Sequence, residues 1–196
     1  MDTGLQKPVP LLQTSRLDLV PATLAHLRAE LDGRERLAEV LGLEVPPSWP
    51  PMFYDTEAIR FAVTWLLEHP SDSERGFAFY YFVRRGTAGA SPLLIGAGGF
   101  KGAPDASGIV EVGYSVLQEH QRRGYATEAV MGWVDFAFAS TDVTAVIAHT
   151  LSSLGPSIRV LEKAGFRFAG AGEDPDAPPG EQVVRYELAR ADYGTR

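Results

Sequence analysis

The chain has no cysteine among its 196 residues, which excludes disulfide bonds, thiol nucleophiles and thiolate metal sites together. No apolar run reaches the ~18 residues that a membrane-spanning helix needs, and the N-terminal segment lacks the basic and apolar regions of a secretory signal. We therefore expect a soluble, cytoplasmic protein. Basic residues are outnumbered 18 to 25 by acidic ones, for a formal net charge of −7. This balance disfavours nonspecific nucleic-acid binding and mildly favours a cationic substrate such as an amine, although solubility alone also explains it.

Metal sites and serine hydrolase sites also lack their usual signals. No serine lies in a Gly-x-Ser-x-Gly elbow, so a Ser-His-Asp hydrolase has no anchor here. The glycines of 96–99 do not open a dinucleotide-binding motif, because Lys101 stands where the third glycine belongs. These small residues instead predict a β-bulge or close packing. The histidines show no metal-ligand spacing; they are His26, His69, His120 and His149.

The bulk composition is that of an ordinary globular protein. Apolar residues make up 45% and charged residues 22% of the chain, so disorder and fibrous structure are not expected. A length of 196 residues is enough for one domain with a sizeable core, and we expect residues 1–196 to form a single domain.

The most informative segment runs from residue 108 to residue 130. Residues 109–117 alternate between apolar and small or polar side chains, which predicts a half-buried strand with Glu111, Gly113 and Ser115 on its less apolar face. From Ala126 the apolar residues recur at helical spacing instead. The junction is therefore predicted to be a helix N-terminus.

A helix N-terminus presents unpaired backbone N–H groups and a partial positive charge, both of which favour a phosphate. Gly124 allows the backbone to approach a ligand closely, and Arg122 and Arg123 add positive charge beside it. We therefore expect a ligand that carries a pyrophosphate. A solvated basic turn is the competing interpretation.

The spacing Gln121-x-x-Gly124-x-Ala126, after a Glu-x-Gly-Tyr strand, resembles the acetyl-CoA motif of the GNAT superfamily of N-acetyltransferases. A second block, 157–167, looks like the last helix of that family and the strand after it, with Gly165 as the helix stop. Together with residues 185–188, it is similar to the branch that includes the ribosomal-protein N-terminal acetyltransferases. The specific resemblance covers about residues 93–190, which would form the acetyl-CoA-binding core.

The resemblance implies an α+β GNAT acyltransferase fold. Its mixed, mostly antiparallel sheet would have about seven strands flanked by helices, and strands four and five would splay apart. The pantetheine arm of acetyl-CoA would lie in that opening beside the backbone of Val116 and Leu117. The loop expected to wrap the pyrophosphate, mostly through backbone N–H groups, comprises Gln121, Arg122, Arg123, Gly124, Tyr125, Ala126 and Thr127.

Two catalytic residues follow from the same resemblance. Glu111 is expected to act as the general base, unless it is an ordinary solvent-facing strand residue. Ser157 matches a serine that contacts CoA and assists the departing thiolate, unless it only completes a helix start after Pro156. The chain departs from the family at Leu161, where many members have a general-acid tyrosine, and before Ser157, where an asparagine is common.

The predicted function is acetyl transfer from acetyl-CoA to a primary amine by direct attack in a ternary complex. The acceptor would be a protein N-terminus or a small-molecule amine, and family members commonly form homodimers. A noncatalytic acyl-CoA-binding or sensing module is the alternative, because the missing tyrosine and asparagine permit it. A nucleotide-binding protein is weaker still, since no Walker-type lysine and serine follow Gly124.

The proline-rich segment 42–54 is predicted to be a structured loop, because prolines forbid regular structure there and three aromatic residues need packing partners. Those residues, Trp49, Phe53 and Tyr54, either line an acceptor site or cover an edge of the core. A helix is predicted from Asp55, its N-cap, to Glu68. A long acidic loop at 170–180 is expected to be solvated or to help hold a cationic acceptor.

Overall fold

A computed structural model describes residues 9–70, 76–86, 89–174 and 177–194. Within them, one sheet of eight strands has the order β1-β2-β3-β4-β5-β6-β8-β7. Neighbouring strands are antiparallel except β5 and β6, which are parallel. The strands are β1 (Leu12–Gln13), β2 (Leu17–Pro21), β3 (Phe79–Arg84), β4 (Leu93–Phe100), β5 (Ile109–Val116), β6 (Ala145–Leu151), β7 (Arg167–Ala171) and β8 (Val183–Ala189). The predicted α+β class is confirmed; the additional strand, β1, has only two residues and so no periodicity to detect.

Five α-helices flank this sheet in the described part of the chain. As predicted, Asp55 caps one of them, since its Oδ1 accepts hydrogen bonds from the backbone N–H groups of Glu57 and Ala58 at 3.0 Å. Pro156 lies in the first turn of the last helix, and Gly165 follows its end with φ of 89°. The helices are α1 (Leu24–Asp32), α2 (Arg34–Leu41), α3 (Thr56–Glu68), α4 (Tyr125–Ala139) and α5 (Gly155–Lys163). None of the described helices is long and apolar enough to cross a membrane.

The sheet has an apolar cluster on each face. On one face, α4 packs its stripe against the sheet, and Trp133 is fully buried against the rings of Phe82 and Phe100. On the other face, helices α1 to α3 and the loop after α2 cover Tyr81 and its neighbours. The alternating burial of β5 follows from this arrangement, because one set of its side chains points into the first cluster.

The small residues of β4 allow the backbone of β5 and the ring of Trp133 to approach β4 closely. A methyl group added at Gly98 would lie 2.3 Å from the Gly113 carbonyl oxygen and 2.9 Å from the Trp133 ring. A β-bulge is also present, since the register with β3 shifts between Phe82 and Val83 and leaves Ile95 as an extra residue on β4. The predicted bulge and close packing therefore both occur.

The predicted splay is confirmed, between β5 and β6, which are strands four and five of the prediction because the prediction did not include β1. Strands β5 and β6 pair only from Ile109 to Glu111, opposite Ala145 to Ile147. Beyond that point β5 stays paired with β4, whereas β6 stays paired with β8 as far as Leu151. The two halves of the sheet thus separate immediately after Glu111. Part of the predicted acidic loop, residues 175 and 176, lies outside the described residues.

Candidate active site

The turn between β5 and α4 has the backbone geometry of an anion site. Gly124 precedes the helix with φ of 82°, and Arg122 also adopts the left-handed region, with φ of 60°. No side chain of the described residues caps the N-terminus of this 15-residue helix. The N–H groups of its first turn are thus left without a capping acceptor, at the positive end of the helix dipole.

Arg16, a residue that the sequence did not single out, braces this turn from outside. Its guanidinium group contacts Glu128 Oε2 through Nε and Nη2 at 2.6 Å, and Nη1 donates to the Arg123 carbonyl oxygen at 2.9 Å. The same group lies 4.5 Å from the centre of the Tyr125 ring. Because these contacts occupy the guanidinium group, Arg16 holds the turn in shape rather than offering a free charge.

Glu128, in the first turns of α4, completes the brace. Its Oε1 accepts hydrogen bonds from Thr14 Oγ1 at 2.6 Å, from Ser15 Oγ at 3.1 Å and from the Arg16 backbone N–H at 2.6 Å. Partial burial raises the pKa of this carboxyl, but the hydrogen bonds and the Arg16 charge outweigh burial and lower it overall. Glu128 therefore ties the β1–β2 turn to the start of α4.

The predicted loop residues differ in their surroundings. Arg122, Arg123 and Gly124 are exposed, Ala126 and Thr127 are half-buried, and the Tyr125 side chain is buried. An open groove of about 460 Å³ lies beside them, between the β1–β2 turn and the two helices α4 and α5. Residues that line it include Thr14, Gly124, Thr127 and Lys163. Of the predicted loop, Gly124 and Thr127 line this groove, and Lys163 on α5 adds a cationic side chain to it.

Gln121 fastens the loop to the end of β5. Its side-chain Nε2 donates to the Val116 carbonyl oxygen at 2.9 Å. On β5, the carbonyl oxygen of Glu111 and the N–H group of Leu117 both form hydrogen bonds on the β4 side. Because backbone groups alternate in direction along a strand, every second residue between these two directs its N–H and carbonyl groups to the other side, toward the splay. Val116 belongs to that alternate set, together with Val112 and Tyr114.

Leu117 has a different place. Its N–H donates to the Ile95 carbonyl oxygen at 2.9 Å, its carbonyl oxygen accepts from the His120 N–H at 2.8 Å, and its side chain is buried. Other residues of the chain therefore occupy both the N–H and the carbonyl group of Leu117, which the family resemblance predicts to lie beside pantetheine. Of the predicted pair, only Val116 directs its backbone toward the opening, and its carbonyl oxygen there already accepts from Gln121 Nε2.

Glu111 lies at the last paired position before the splay and is only partly exposed. Its Oε1 is 2.7 Å from Lys101 Nζ and 3.1 Å from His149 Nδ1, at ion-pair distances but without the angles of aligned hydrogen bonds. His149 follows on β6, across the opening. A carboxylate, a histidine and a lysine therefore meet where the two halves of the sheet separate.

Ser157 stands on the other side of the opening, in the first turn of α5. Its Oγ is 3.1 Å from the Tyr114 hydroxyl, which also donates to the Ser157 carbonyl oxygen at 3.1 Å. Burial raises the pKa of Tyr114 to about 12, although the bond from Ser157 lowers it in part. Leu161, which replaces the family's tyrosine, is fully buried and supplies no polar group.

The proline-rich loop after α2 lies over the face of the sheet opposite to α4. Trp49 and Tyr54 are buried there and donate hydrogen bonds to the carboxylate of Glu30 at 2.6 and 2.9 Å, and Tyr81 donates to it at 2.6 Å. Burial raises the pKa of Glu30, and the three donors offset that rise only in part. Phe53, in contrast, is 65% exposed, so the expectation that all three aromatic residues pack is wrong for Phe53.

The same loop reaches the splay, because the Met52 carbonyl oxygen accepts a hydrogen bond from the Ser115 hydroxyl on β5. Ser115 shares its face of the strand with Glu111. The proline-rich loop therefore both covers a core edge, through its buried aromatic residues, and borders the opening.

Residues 16–167, which make up most of the chain, match the family model described as an acetyltransferase (GNAT) domain. The chain belongs to the GNAT acetyltransferase family. It is therefore an acyltransferase of the N-acetyltransferase type, and its acetyl donor is acetyl-CoA.

Individual relatives agree with this assignment. The uncharacterized N-acetyltransferase YjdG of Bacillus subtilis is 28% identical over 156 residues, which cover 80% of this chain and 89% of YjdG. Two solved structures share the fold: RimL, a ribosomal L7/L12 alpha-N-protein acetyltransferase in complex with CoA, and a chimera of the spermidine N-acetyltransferase SpeG from Vibrio cholerae. RimL has a TM-score of 0.63 at 17% identity, with 92% and 97% of the two chains covered. The SpeG chimera has a TM-score of 0.63 at 18% identity, with 93% of this chain and 100% of the chimera covered.

The residues present fit a CoA molecule. The opening after Glu111 leaves the backbone groups of alternate β5 residues facing a gap, and the uncapped start of α4 lies at the end of that strand. Sequence reasoning missed Arg16, His149, Glu30 and the role of Tyr114. Tyr114 belongs to the Glu-x-Gly-Tyr motif, but nothing in its own neighbourhood along the chain indicates a contact with α5.

Proposed function

We propose that this GNAT acetyltransferase transfers the acetyl group of acetyl-CoA to a primary amine, on a protein N-terminus or a small molecule, by direct attack in a ternary complex. The observation that carries the proposal is the opening between β5 and β6, which has Glu111 at its closed end and Ser157 on its far side. An amine in that opening would have a carboxylate on one side and a hydroxyl donor on the other.

Glu111 serves as the general base in this proposal. As the amine nitrogen bonds to the thioester carbon, its proton passes to Glu111 directly or through a water molecule. The Lys101 and His149 contacts both engage Oε1, and no other described residue pairs with Oε2, which is left for that proton. The same two contacts hold the carboxylate at the mouth of the splay.

Cofactor binding is assigned to the β5–α4 turn and the opening beside it. The N–H groups around Gly124 and the first turn of α4 would hold the pyrophosphate, with Arg122 and Arg123 adding positive charge. The Val116 backbone would border the pantetheine arm. Ser157 would donate a hydrogen bond to the thiolate as the carbon–sulfur bond breaks.

Two acceptor classes follow from the same chemistry. RimL acts on a protein N-terminus and SpeG on spermidine, and both share the fold of this chain. Glu111 and the net charge of −7 suit either cationic acceptor.

The test measures free-thiol release from acetyl-CoA against small amines, polyamines and short peptides with free N-termini. Glu111→Gln should lower kcat by about 10²- to 10⁴-fold, the usual contribution of a positioned base, with unchanged CoA affinity. Glu187→Gln is the matched control, because Glu187 lies on β8 in an ion pair with Arg185 and does not contact Glu111. Tight CoA binding without thiol release from any acceptor, and no effect of Glu111→Gln, would instead establish a noncatalytic binding module.

A further inference from the structure

Tyr114 connects the two sides of the opening. It belongs to β5, on the face that packs against α4, yet its hydroxyl reaches the first turn of α5, 43 residues later in the chain. The hydroxyl oxygen lies 3.1 Å from Ser157 Oγ and 3.1 Å from the Ser157 carbonyl oxygen. The position of the Ser157 hydroxyl is therefore set from β5 as well as from its own helix.

A tyrosine hydroxyl has one hydrogen, and here two oxygens compete for it. When that hydrogen goes to the Ser157 carbonyl, the Ser157 hydroxyl can donate back to the tyrosine oxygen and is used up. When it goes to Ser157 Oγ instead, the serine hydrogen is free to point into the opening. An anion there would favour the second arrangement, since it attracts the serine hydrogen.

We propose that Tyr114 is a positioning residue that aims the Ser157 hydroxyl at the departing thiolate, in place of the tyrosine that the last helix lacks. This inference rests on the proposed function. Tyr114 donates a hydrogen bond and keeps its proton throughout, so the proton that the thiolate finally gains comes from solvent.

The environment of Tyr114 supports that division of roles. Burial raises the pKa of its hydroxyl to about 12, so Tyr114 stays protonated and remains a donor across the neutral pH range. Proton transfer from Tyr114 to the thiolate would be unfavourable, because the ordinary pKa of a thiol lies well below that value. Tyr114 therefore acts through Ser157 rather than as the acid.

The test is a double-mutant cycle on kcat at saturating substrates, with Tyr114→Phe, Ser157→Ala and both together. We expect Ser157→Ala to lower kcat by about 10- to 100-fold, as when a hydrogen bond to a charged group is removed, and Tyr114→Phe by about tenfold. The double variant should match Ser157→Ala alone, because Tyr114 has no second route to the thiolate. The KM for acetyl-CoA should change little in all three variants.

Tyr80→Phe is the matched control. Tyr80 is also buried in the sheet and donates to a backbone carbonyl, that of Gly76, at 2.8 Å, but it does not contact Ser157. Tyr80→Phe should lower thermal stability, as Tyr114→Phe should, and leave kcat unchanged. A further loss when Tyr114→Phe is added to Ser157→Ala, or no loss from Tyr114→Phe alone, would overturn the proposal.

A second readout needs no acceptor and so separates this inference from the proposed function. Ionisation of the thiol of bound CoA can be followed by the ultraviolet absorbance of the thiolate. The pKa of that thiol should be higher in Ser157→Ala and in Tyr114→Phe than in wild type, and no higher in the double variant than in Ser157→Ala. Equal thiol pKa values in wild type and Tyr114→Phe would refute the role of Tyr114 even if no acceptor were found. If the thiol pKa shifts as expected but no amine is acetylated, the proposed function is refuted and the role of Tyr114 is not.

Discussion

Replacing Arg16 with lysine should weaken CoA binding although Arg16 is not expected to touch CoA. The guanidinium group joins Glu128 on α4 to the Arg123 carbonyl oxygen and covers the Tyr125 ring. Lysine keeps the charge but has one nitrogen in place of a planar fork, so it cannot make these contacts together. The turn that presents the N–H groups of α4 would then lose its outer support.

The size of the effect follows from the interactions that lysine cannot reproduce. Arg16→Lys removes one bond to a half-buried carboxylate, one bond to a carbonyl oxygen and the ring stacking. Because the Arg16 side chain is 45% exposed, solvent screening reduces each contribution, and we expect a total of about 1–2 kcal/mol. Arg122 sits in the left-handed region within the same turn, so the released loop has other conformations to adopt. If most of this energy appears in binding, the Kd for CoA rises about 5- to 30-fold.

Isothermal titration calorimetry with CoA measures this directly. Arg190→Lys is the control, because Arg190 also lies over a ring and bonds to carbonyl oxygens, at the other end of α4: its guanidinium group lies 5.0 Å from the Phe138 ring and donates to the carbonyl oxygens of Val143 and Phe138. It should lower thermal stability without changing the Kd. Wild-type CoA affinity in Arg16→Lys, or equal weakening in Arg190→Lys, would refute the bracing role.

Two further predictions concern stability, measured by urea unfolding. Glu30→Ala leaves three buried donors without an acceptor and should cost about 4 kcal/mol, whereas Glu30→Gln keeps an acceptor and should cost less. Because burial raises the pKa of Glu30, wild-type stability should fall as pH rises from the ordinary glutamate pKa through the raised value; the same slope in Glu30→Gln would contradict this. Gly98→Ala should cost about 3 kcal/mol or more, since its methyl group would meet the Gly113 carbonyl oxygen and Trp133. Gly113→Ala is the control, since among the described residues its methyl group would meet only the Lys101 side chain, at 3.7 Å; equal losses would argue against the clash.

Much of the fold could be predicted because its signals are local. The alternation of β5 and the helical spacing after it are written in neighbouring residues, and the strand and the helix are both present, at 109–116 and 125–139. Asp55, Pro156 and Gly165 mark helix ends through their own backbone and side-chain chemistry. The two-residue strand β1 was missed because it is too short to show a pattern.

The candidate site could be predicted only in part. The positions of Glu111 and of the Gly124 turn follow from the β5–α4 pattern and the family resemblance. The neighbours of Glu111 do not, because Lys101 and His149 come from other parts of the chain and reach it only once the sheet has formed. Phe53 shows the opposite error, since an aromatic residue in a structured loop was expected to be packed and is instead exposed.

The sequence by itself determined a strand, a glycine-containing turn and a helix with an open N-terminus, because periodicity and turn chemistry act between neighbouring residues. Only the tertiary structure decided what supports them. Arg16 reaches Glu128 across 112 residues, Tyr114 reaches Ser157 across 43, and Tyr81 reaches Glu30 across 51. Such partners are chosen by where packing of the whole sheet places each side chain, and no local pattern in the chain records that choice.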